Sequence, residues 1–274
     1  MKKERVDVLL VQQGLFTSRE QAKRAVMAGQ VVGYHDERLD KPGEKIDAAI
    51  KLRVKGQVNP YVSRGGFKLA KALRVFHLSV QDLLVLDIGA STGGFTDVVL
   101  QNGAKAVYAL DVGYNQLAWK LREDPRVKVM ERVNFRYAKP VDFTAGPADF
   151  AVTDVSFISL EHILPPLRSI LRVGGGLVAL IKPQFEAGRQ SVGKHGIVRD
   201  PAVHRQVIKK ILDFAQAHRF QVLGLDYSPI TGGTGNIEFL AYFKLVSAAD
   251  QASLPPYSED QIQQVVANAW QQLT

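Results

Sequence analysis

The sequence predicts an α/β protein in which helices cover both faces of a mostly parallel sheet, preceded by a small α+β domain. From residue 64 onward, short apolar segments alternate with segments of helical periodicity, as is typical of a buried parallel sheet. Residues 55–63 contain Gly, Asn and Pro and show no such periodicity, which indicates a linker. We therefore predict two domains, at residues 1–59 and 60–274.

The N-terminal domain is predicted to hold two helices and two short strands. Apolar residues recur at helical spacing in the first helix, which Gly14 ends. Ser18 is a favourable N-cap for the second helix, with Gln21 as its capping-box partner. The predicted helices are Arg5–Gln13 and the segment from Ser18 to Met27, and the strands are Gln30–Tyr34 and Ile50–Val54 on either side of the turn-rich Asp40–Asp47.

The second domain is predicted to hold a seven-stranded, mostly parallel sheet. Its strands are apolar runs separated by helical segments, one of which is bent or begun by Pro165 and Pro166. The predicted strands are Leu83–Ile88, Ala106–Leu110, Val127–Met130, Phe150–Thr153, Leu177–Ile181, Phe220–Tyr227 and Glu238–Leu245, and the helices are Phe67–Leu73, Phe95–Gln101, Gln116–Leu121, Leu160–Leu171, Pro201–Ala217 and Tyr257–Gln272.

Composition excludes several classes of site. The 274 residues include no cysteine, which excludes a disulfide scaffold, a thiolate zinc site and a cysteine nucleophile. The six histidines lack metal-ligand spacing, so no metal site is predicted. No apolar run approaches the ~18 residues that can span a bilayer, and no apolar segment follows the first five residues. We expect a cytoplasmic protein with no membrane partner.

The net charge of +8 is concentrated at one end of the chain. Residues 1–74 hold sixteen Lys and Arg against eight Asp and Glu, whereas residues 75–274 hold nineteen of each. Such a basic segment is typical of a surface that faces a polyanion, although it is also compatible with an ordinary solvated face. Arg19 and Lys23 are four residues apart, with Arg24 adjacent, so a helix would present them together to phosphates without reading bases.

A glycine-containing loop after the first strand of the second domain indicates a ligand site. In a doubly wound sheet, ligands bind at the carboxyl ends of the strands. The dinucleotide pattern G-x-G-x-x-G fails because Ser91 stands at its second glycine, and the P-loop pattern fails because Phe95 stands where lysine is needed. The remaining D-x-G-x-x-x-G pattern is that of Rossmann-like methyltransferases, with Asp111 placed to accept hydrogen bonds from ribose hydroxyls.

These observations predict S-adenosylmethionine as the cofactor. The glycines let the backbone turn and approach the ligand closely. The predicted cofactor-binding residues are Asp87, Gly89, Ala90, Ser91, Thr92, Gly93, Gly94, Phe95, Asp111, Val112 and Asp154.

Five ordered motifs extend over nearly the whole chain and resemble the TlyA family of FtsJ-like RNA ribose methyltransferases, some of which carry the name hemolysin. They are Ser63-Arg-Gly-Gly-Phe-Lys-Leu69, Asp87-Ile-Gly-Ala-Ser-Thr-Gly-Gly-Phe-Thr-Asp97, Ala109-Leu-Asp-Val-Gly-Tyr114, Thr153-Asp-Val-Ser-Phe157 and Leu180-Ile-Lys-Pro-Gln-Phe-Glu186. The resemblance implies 2′-O-methylation of ribosomal RNA by a Lys-Asp-Lys-Glu active site. Residue by residue, this site falls on Lys68, Asp154, Lys182 and Glu238.

The N-terminal part resembles an S4 RNA-binding domain. The similarity lies in Arg5-Val-Asp-Val-Leu-Leu10 and Ser18-Arg-Glu-Gln-Ala-Lys-Arg24. Together with the charge pattern, it implies an RNA-binding surface formed by Arg5, Ser18, Arg19, Lys23 and Arg24.

The chemistry of the expected reaction assigns a role to each member of the tetrad. A ribose hydroxyl is a poor nucleophile near neutral pH and needs a base, or a positive charge beside the developing alkoxide. Burial next to the cation of Lys68 would favour a neutral Lys182 that can act as the base, while Asp154 and Glu238 orient the lysines. Phe157 is expected to serve in packing rather than to stack on a base.

Three other functions remain as alternatives. A membrane-active hemolysin is suggested by the name that some family members carry. A nicotinamide-dependent oxidoreductase shares the fold class, but the missing G-x-G-x-x-G pattern argues against it. An RNA-binding protein with an inactive second domain is the third alternative, and the complete tetrad argues against it.

Overall fold

The computed structural model describes residues 3–16, 18–34, 36–55 and 59–274, so part of the predicted linker, at 56–58, lies outside the described residues. The chain divides into two compact units, Met1–Pro60 and Tyr61–Thr274. Each unit has a hydrophobic core of its own and is described by itself below.

The N-terminal unit packs two helices over short antiparallel strand pairs. Its core contains Leu9, Leu10 and Val26. The Ser18 hydroxyl caps the second helix by accepting a hydrogen bond from the Gln21 backbone N–H at 3.3 Å. The elements are β1 (Lys3–Arg5), α1 (Val6–Gln12), α2 (Arg19–Met27), β2 (Val31–Val32), β3 (Lys45–Asp47) and β4 (Arg53–Val54), with β1 paired to β3 and β2 paired to β4.

The second unit alternates strands and helices along most of its length. Its strands are β5 (Leu84–Ile88), β6 (Ala106–Asp111), β7 (Val127–Glu131), β8 (Ala148–Thr153), β9 (Leu171–Ile181), β10 (Phe220–Tyr227) and β11 (Phe239–Leu245). Its helices are α3 (Gly66–Val75), α4 (Gly94–Gln101), α5 (Trp119–Arg122), α6 (Leu164–Ile170), α7 (Pro183–Glu186), α8 (Pro201–Ala217) and α9 (Glu259–Leu273).

Within the described part of the chain, these strands form one seven-stranded sheet in the order β10-β11-β9-β8-β5-β6-β7. Only β11 runs antiparallel to its neighbours, which confirms the predicted mostly parallel sheet. The strand order reverses between β5 and β8, and a crevice at the carboxyl ends of such strands is the usual ligand site. Because β11 is antiparallel, its first residue lies at the same edge of the sheet as the last residues of β8 and β9.

Helices bury both faces of this sheet, as predicted. One core joins the sheet to α6, α8 and α9, and the other joins it to α3, α4 and α5. Close packing of helices on both faces therefore holds the strands rigidly, and the loops at the carboxyl edge extend from rigid strand ends.

Several predicted boundaries differ from the structure. The strands predicted at Gln30–Tyr34 and Ile50–Val54 are the two-residue β2 and β4. The segment predicted as turns at Asp40–Asp47 contains β3, which pairs with the polar β1. The helix predicted at Gln116–Leu121 is a single turn, α5. The helix predicted at Leu160–Leu171 is a 3-10 turn followed by α6, because Pro165 lies in the first turn of α6 and favours a helix start there. The strand predicted at Leu177–Ile181 is longer, since β9 begins at Leu171.

Candidate active site

The loop that joins β5 to α4 requires glycine at two positions. Gly89 and Gly93 have φ angles of +83° and +96°, a region that other residues rarely adopt. A Cβ atom on Gly93 would also come within 2.3 Å of Leu121 Cδ1 in α5. The glycines thus allow the loop to turn tightly against α5 while its backbone faces the carboxyl edge of the sheet.

Asp111, the last residue of β6, is held at this edge by two backbone groups. Its Oδ2 accepts a hydrogen bond from the Ser91 N–H at 2.8 Å, and its Oδ1 accepts one from the Gly113 N–H at 2.7 Å. The carboxylate therefore links the glycine loop to the loop after β6, and each oxygen retains a lone pair for a further donor.

Two adjacent cavities open on these loops, with volumes of about 510 Å³ and 190 Å³. They share Gly89, Ser91, Asp154 and Ser156, so they form one continuous trough. Of the predicted cofactor-binding residues, Gly89, Ser91, Asp111, Val112 and Asp154 line the larger cavity, and Ala90, Thr92, Gly94 and Phe95 line the smaller one.

Asp87 and Gly93 line neither cavity. Asp87 is buried, and its Oδ2 accepts a hydrogen bond from the Thr96 hydroxyl at 2.7 Å. Its Oδ1 has no hydrogen-bond partner among the described residues. Burial raises the pKa of this carboxyl to about 7. Asp87 therefore supports the glycine loop, and the structure does not place it on the surface that a cofactor would touch.

The four residues expected to form the active site lie together in an alternating chain of ion pairs. Lys68 Nζ is 2.6 Å from Glu238 Oε2 and 3.2 Å from Asp154 Oδ2. Lys182 Nζ is 2.5 Å from Asp154 Oδ1. Two lysines and two carboxyl groups thus alternate in this chain, in which Asp154 lines both cavities, Lys182 lines the smaller one, and Lys68 and Glu238 line neither.

The fold explains why residues so distant in sequence meet here. Lys68 lies in the first turn of α3, Asp154 follows β8, and Lys182 follows β9. Glu238 directly precedes β11, the antiparallel strand, so it reaches the same edge from the opposite chain direction.

The electrostatics of the site favour the charged forms of Lys68 and Asp154. Burial lowers the pKa of Lys68, but attraction to Asp154 and Glu238 outweighs this effect and raises the pKa above its ordinary value. Burial likewise raises the pKa of Asp154, but Lys182 and Lys68 outweigh it and hold the pKa below its ordinary value. The Asp154 carboxylate is shared by both lysines, and the expectation that Lys182 acts as a neutral base stays a prediction.

Sequence reasoning missed two side chains next to the tetrad. The Lys182 ammonium donates a hydrogen bond to Ser156 Oγ at 3.0 Å, and Gln184 Nε2 donates one to Glu238 Oε1 at 3.4 Å. Ser156 follows Asp154 by two residues in one of the quoted motifs, a position that could have indicated it. Asn134 and Arg136, in the segment after β7, line the larger cavity and carried no such signal.

The prediction that Phe157 serves in packing is wrong. This side chain lines the larger cavity and is 90% exposed, although its ring lies 5.0 Å from that of Phe185. Its φ of +64° is unusual for a bulky residue and is typical of a position under functional constraint. The loop therefore presents an aromatic surface beside Ser156.

In the N-terminal unit, the residues expected to bind RNA lie on or near α2. The side chains of Arg5, Arg19 and Lys23 are about half exposed, and Arg24 is exposed. The Ser18 hydroxyl already serves as the helix cap, so its side chain has a structural role that the sequence prediction did not separate from RNA contact.

Neither a metal-binding group of side chains nor a membrane-spanning helix is found in the described ranges, which omit 1–2, 17, 35 and 56–58. In these ranges, no three histidine, aspartate or glutamate side chains are grouped so that they could hold a metal ion. No helix in them is both long enough and apolar enough to cross a membrane.

Comparison with known proteins relates the chain to RNA-modifying enzymes. Residues 61–245 match the family of FtsJ-like methyltransferases. YqxC of Bacillus subtilis (strain 168), described as a candidate rRNA methyltransferase, is 59% identical over 98% of this chain and 94% of its own length. The 16S/23S rRNA (cytidine-2′-O)-methyltransferase TlyA of Mycobacterium tuberculosis (strain ATCC 25618 / H37Rv) is 39% identical over 97% of this chain and 98% of its own.

A solved structure from Streptococcus thermophilus, described as a candidate hemolysin, is also similar. It superposes with a TM-score of 0.78 at 59% sequence identity, covering 99% of this chain and 97% of that chain. The similarity therefore extends over both units.

Proposed function

The chain belongs to the FtsJ-like methyltransferase family, as its motifs predicted, and we propose that it transfers a methyl group from S-adenosylmethionine to a ribose 2′-hydroxyl of ribosomal RNA. The observation that carries this proposal is the chain of ion pairs from Glu238 through Lys68 and Asp154 to Lys182, in which Asp154 lines both cavities. The name of the TlyA relative supports ribosomal RNA as the substrate.

The trough suits the shape and chemistry of S-adenosylmethionine. Its larger cavity, about 510 Å³, is in the range typical of small-molecule sites and offers Asp111 to ribose hydroxyls and the apolar Val112 to a purine. The smaller cavity offers the hydroxyls of Ser63, Ser91 and Thr92 to the polar amino-acid end. In this orientation, the reactive sulfonium would lie nearest Asp154 and Lys182.

When bound, S-adenosylmethionine supplies an electrophilic methyl group. The protein must then orient the 2′-hydroxyl and remove its proton. Lys182 Nζ accepts this proton as the oxygen attacks, and Asp154 stabilises the ammonium that results, as their 2.5 Å contact permits. Lys182 then releases this proton to solvent before the next turnover. Lys68, held by Glu238, fixes the other oxygen of Asp154.

Other parts of the chain bind the RNA. Phe157, exposed beside Ser156, offers a flat surface on which the base of the target nucleotide can stack. The S4-like N-terminal unit supplies phosphate contacts through Arg5, Arg19, Lys23 and Arg24. Ribosomal RNA as substrate places the protein in the cytoplasm, where ribosomes assemble.

The proposal is tested by replacing Lys182. Lys182→Ala should lose ~10²–10⁴-fold in methyl transfer to ribosomal RNA, as expected for a missing general base, yet bind the cofactor normally in calorimetry. Lys182→Arg should also fail, since a guanidinium does not release its proton. Lys209→Ala, which removes a lysine from the exposed face of α8, is the matched control and should keep parental activity.

Two outcomes would contradict this assignment. If Lys182→Arg retains near-parental activity, Lys182 is not a base and contributes only positive charge. If ribosomal RNA from a deletion strain has the same 2′-O-methyl sites as RNA from the parent, the substrate assignment is wrong.

A further inference from the structure

We infer that Asp7 is a positioning residue that holds Arg5 and Arg19 side by side as a paired guanidinium site for an RNA phosphate. This inference rests on the proposed RNA-binding role of the N-terminal unit. It adds a residue to which neither the charge pattern nor the family motifs assigned a role.

One carboxylate joins the two arginines. Arg5 donates through Nε to Asp7 Oδ1 at 2.9 Å and through Nη2 to Oδ2 at 3.1 Å. Arg19 donates through Nη2 to the same Oδ2 at 3.0 Å. Because both Nη2 atoms contact one oxygen, the two guanidinium groups lie close together, although the arginines are in different elements, β1 and α2.

The carboxylate itself is fixed and inaccessible. The Asp7 side chain is fully buried, and its backbone N–H donates to the Pro42 carbonyl at 3.0 Å. The hydrogen bond from Arg5 is the main cause that lowers its pKa to about 2, against the opposing effect of burial. Asp7 therefore carries a constant negative charge near neutral pH, and it cannot itself meet an RNA strand.

The arginines, in contrast, remain available. Their side chains are 40% and 54% exposed. A guanidinium has five N–H donors, and these contacts to Asp7 use two from Arg5 and one from Arg19. The remaining donors can bind phosphate oxygens in the planar geometry that favours arginine over lysine. Fixing two long side chains beforehand reduces the conformational entropy lost when RNA binds.

The test exploits the sign of the charge change. Asp7→Asn removes a negative charge from a surface that faces a polyanion, so charge alone predicts tighter RNA binding. Positioning predicts the opposite, a loss of roughly tenfold in RNA affinity, because the arginines then repel each other and lose their common anchor. Glu44→Gln, which removes the same charge at an exposed position of the same unit, should bind RNA at least as tightly as the parent.

A second variant keeps the test decisive if Asp7→Asn does not fold. Arg19→Lys preserves the net charge at a half-exposed position but removes the planar fork. It should also bind RNA several-fold more weakly, with unchanged thermal stability and unchanged cofactor affinity. Parental RNA affinity in Arg19→Lys, or tighter binding in a folded Asp7→Asn, would overturn the inference.

The underlying RNA-binding role is tested separately by the double variant Arg19→Ala with Lys23→Ala. If this variant keeps the parental affinity and salt dependence, the N-terminal unit is not the RNA-binding surface. If it weakens binding while Asp7→Asn and Arg19→Lys do not, the surface is correct and only the positioning role of Asp7 is wrong.

Discussion

The buried carboxyl of Asp87 predicts a specific loss of stability as pH rises. Its pKa is raised from 3.8 to about 7, chiefly by burial. The unfolded chain therefore releases this proton at lower pH than the folded chain, so the free energy of unfolding falls between pH 3.8 and about 7. Each pKa unit corresponds to about 1.4 kcal/mol, which makes the whole loss about 4 kcal/mol.

Asp87→Asn should remove this dependence. The asparagine resembles the neutral carboxyl, because its Oδ1 can accept the hydrogen bond from the Thr96 hydroxyl. Between about pH 5 and about pH 7.5, the parent should lose about 2.5 kcal/mol relative to the variant. The variant should thus gain in relative stability as the solution becomes more alkaline.

Urea unfolding at constant ionic strength measures this difference. Both tryptophans, Trp119 and Trp270, lie in the second unit, so their fluorescence reports its unfolding. Asp82→Asn, at an exposed position of the same unit, is the matched control, and its pH profile should be parallel to that of the parent. A parallel profile for Asp87→Asn would refute the reasoning, because it would mean that Asp87 is ionised in the folded protein or solvated by water.

Two further variants test the binding surfaces. Asp111→Ala should weaken cofactor binding about 10- to 100-fold in calorimetry, because it removes the ribose acceptor and frees Ser91 and Gly113, whereas parental affinity would show that the ribose lies elsewhere. Phe157→Ala should raise the KM for RNA about tenfold or more with little effect on kcat or thermal stability, as expected for loss of stacking from an exposed ring; an unchanged KM would exclude the stacking role.

The sequence was sufficient to predict the layered fold because the strands are buried on both faces. Mainly apolar runs such as Leu84–Ile88 and Ala148–Thr153 are unfavourable at a surface, so the hydrophobic pattern predicts that they are buried strands and where they lie along the chain. In contrast, β1 and β3 are three-residue polar segments about 40 residues apart. Their pairing depends on tertiary contacts and leaves no periodic signal.

The active site, too, could be predicted from the sequence only in part. Motif resemblance and strand-end positions predicted that Lys68, Asp154, Lys182 and Glu238 would meet. They could not predict that Asp154 would lie between the two lysines, because this depends on side-chain rotamers at three separate strand and helix ends. The exposure of Phe157 depends on a backbone conformation that sequence pattern does not report.

The antiparallel strand β11 has a consequence for when this protein becomes active. Proteins are synthesised from the N-terminus, and domains fold as units once their segments are available. Lys68 is made before the first strand of the sheet, whereas Glu238 and β11, which fills the space between β9 and β10, are made after every other strand. A partly made chain therefore has neither a closed sheet nor a complete tetrad. We therefore expect the activity to appear only after β11 has been made and has joined the sheet between β9 and β10.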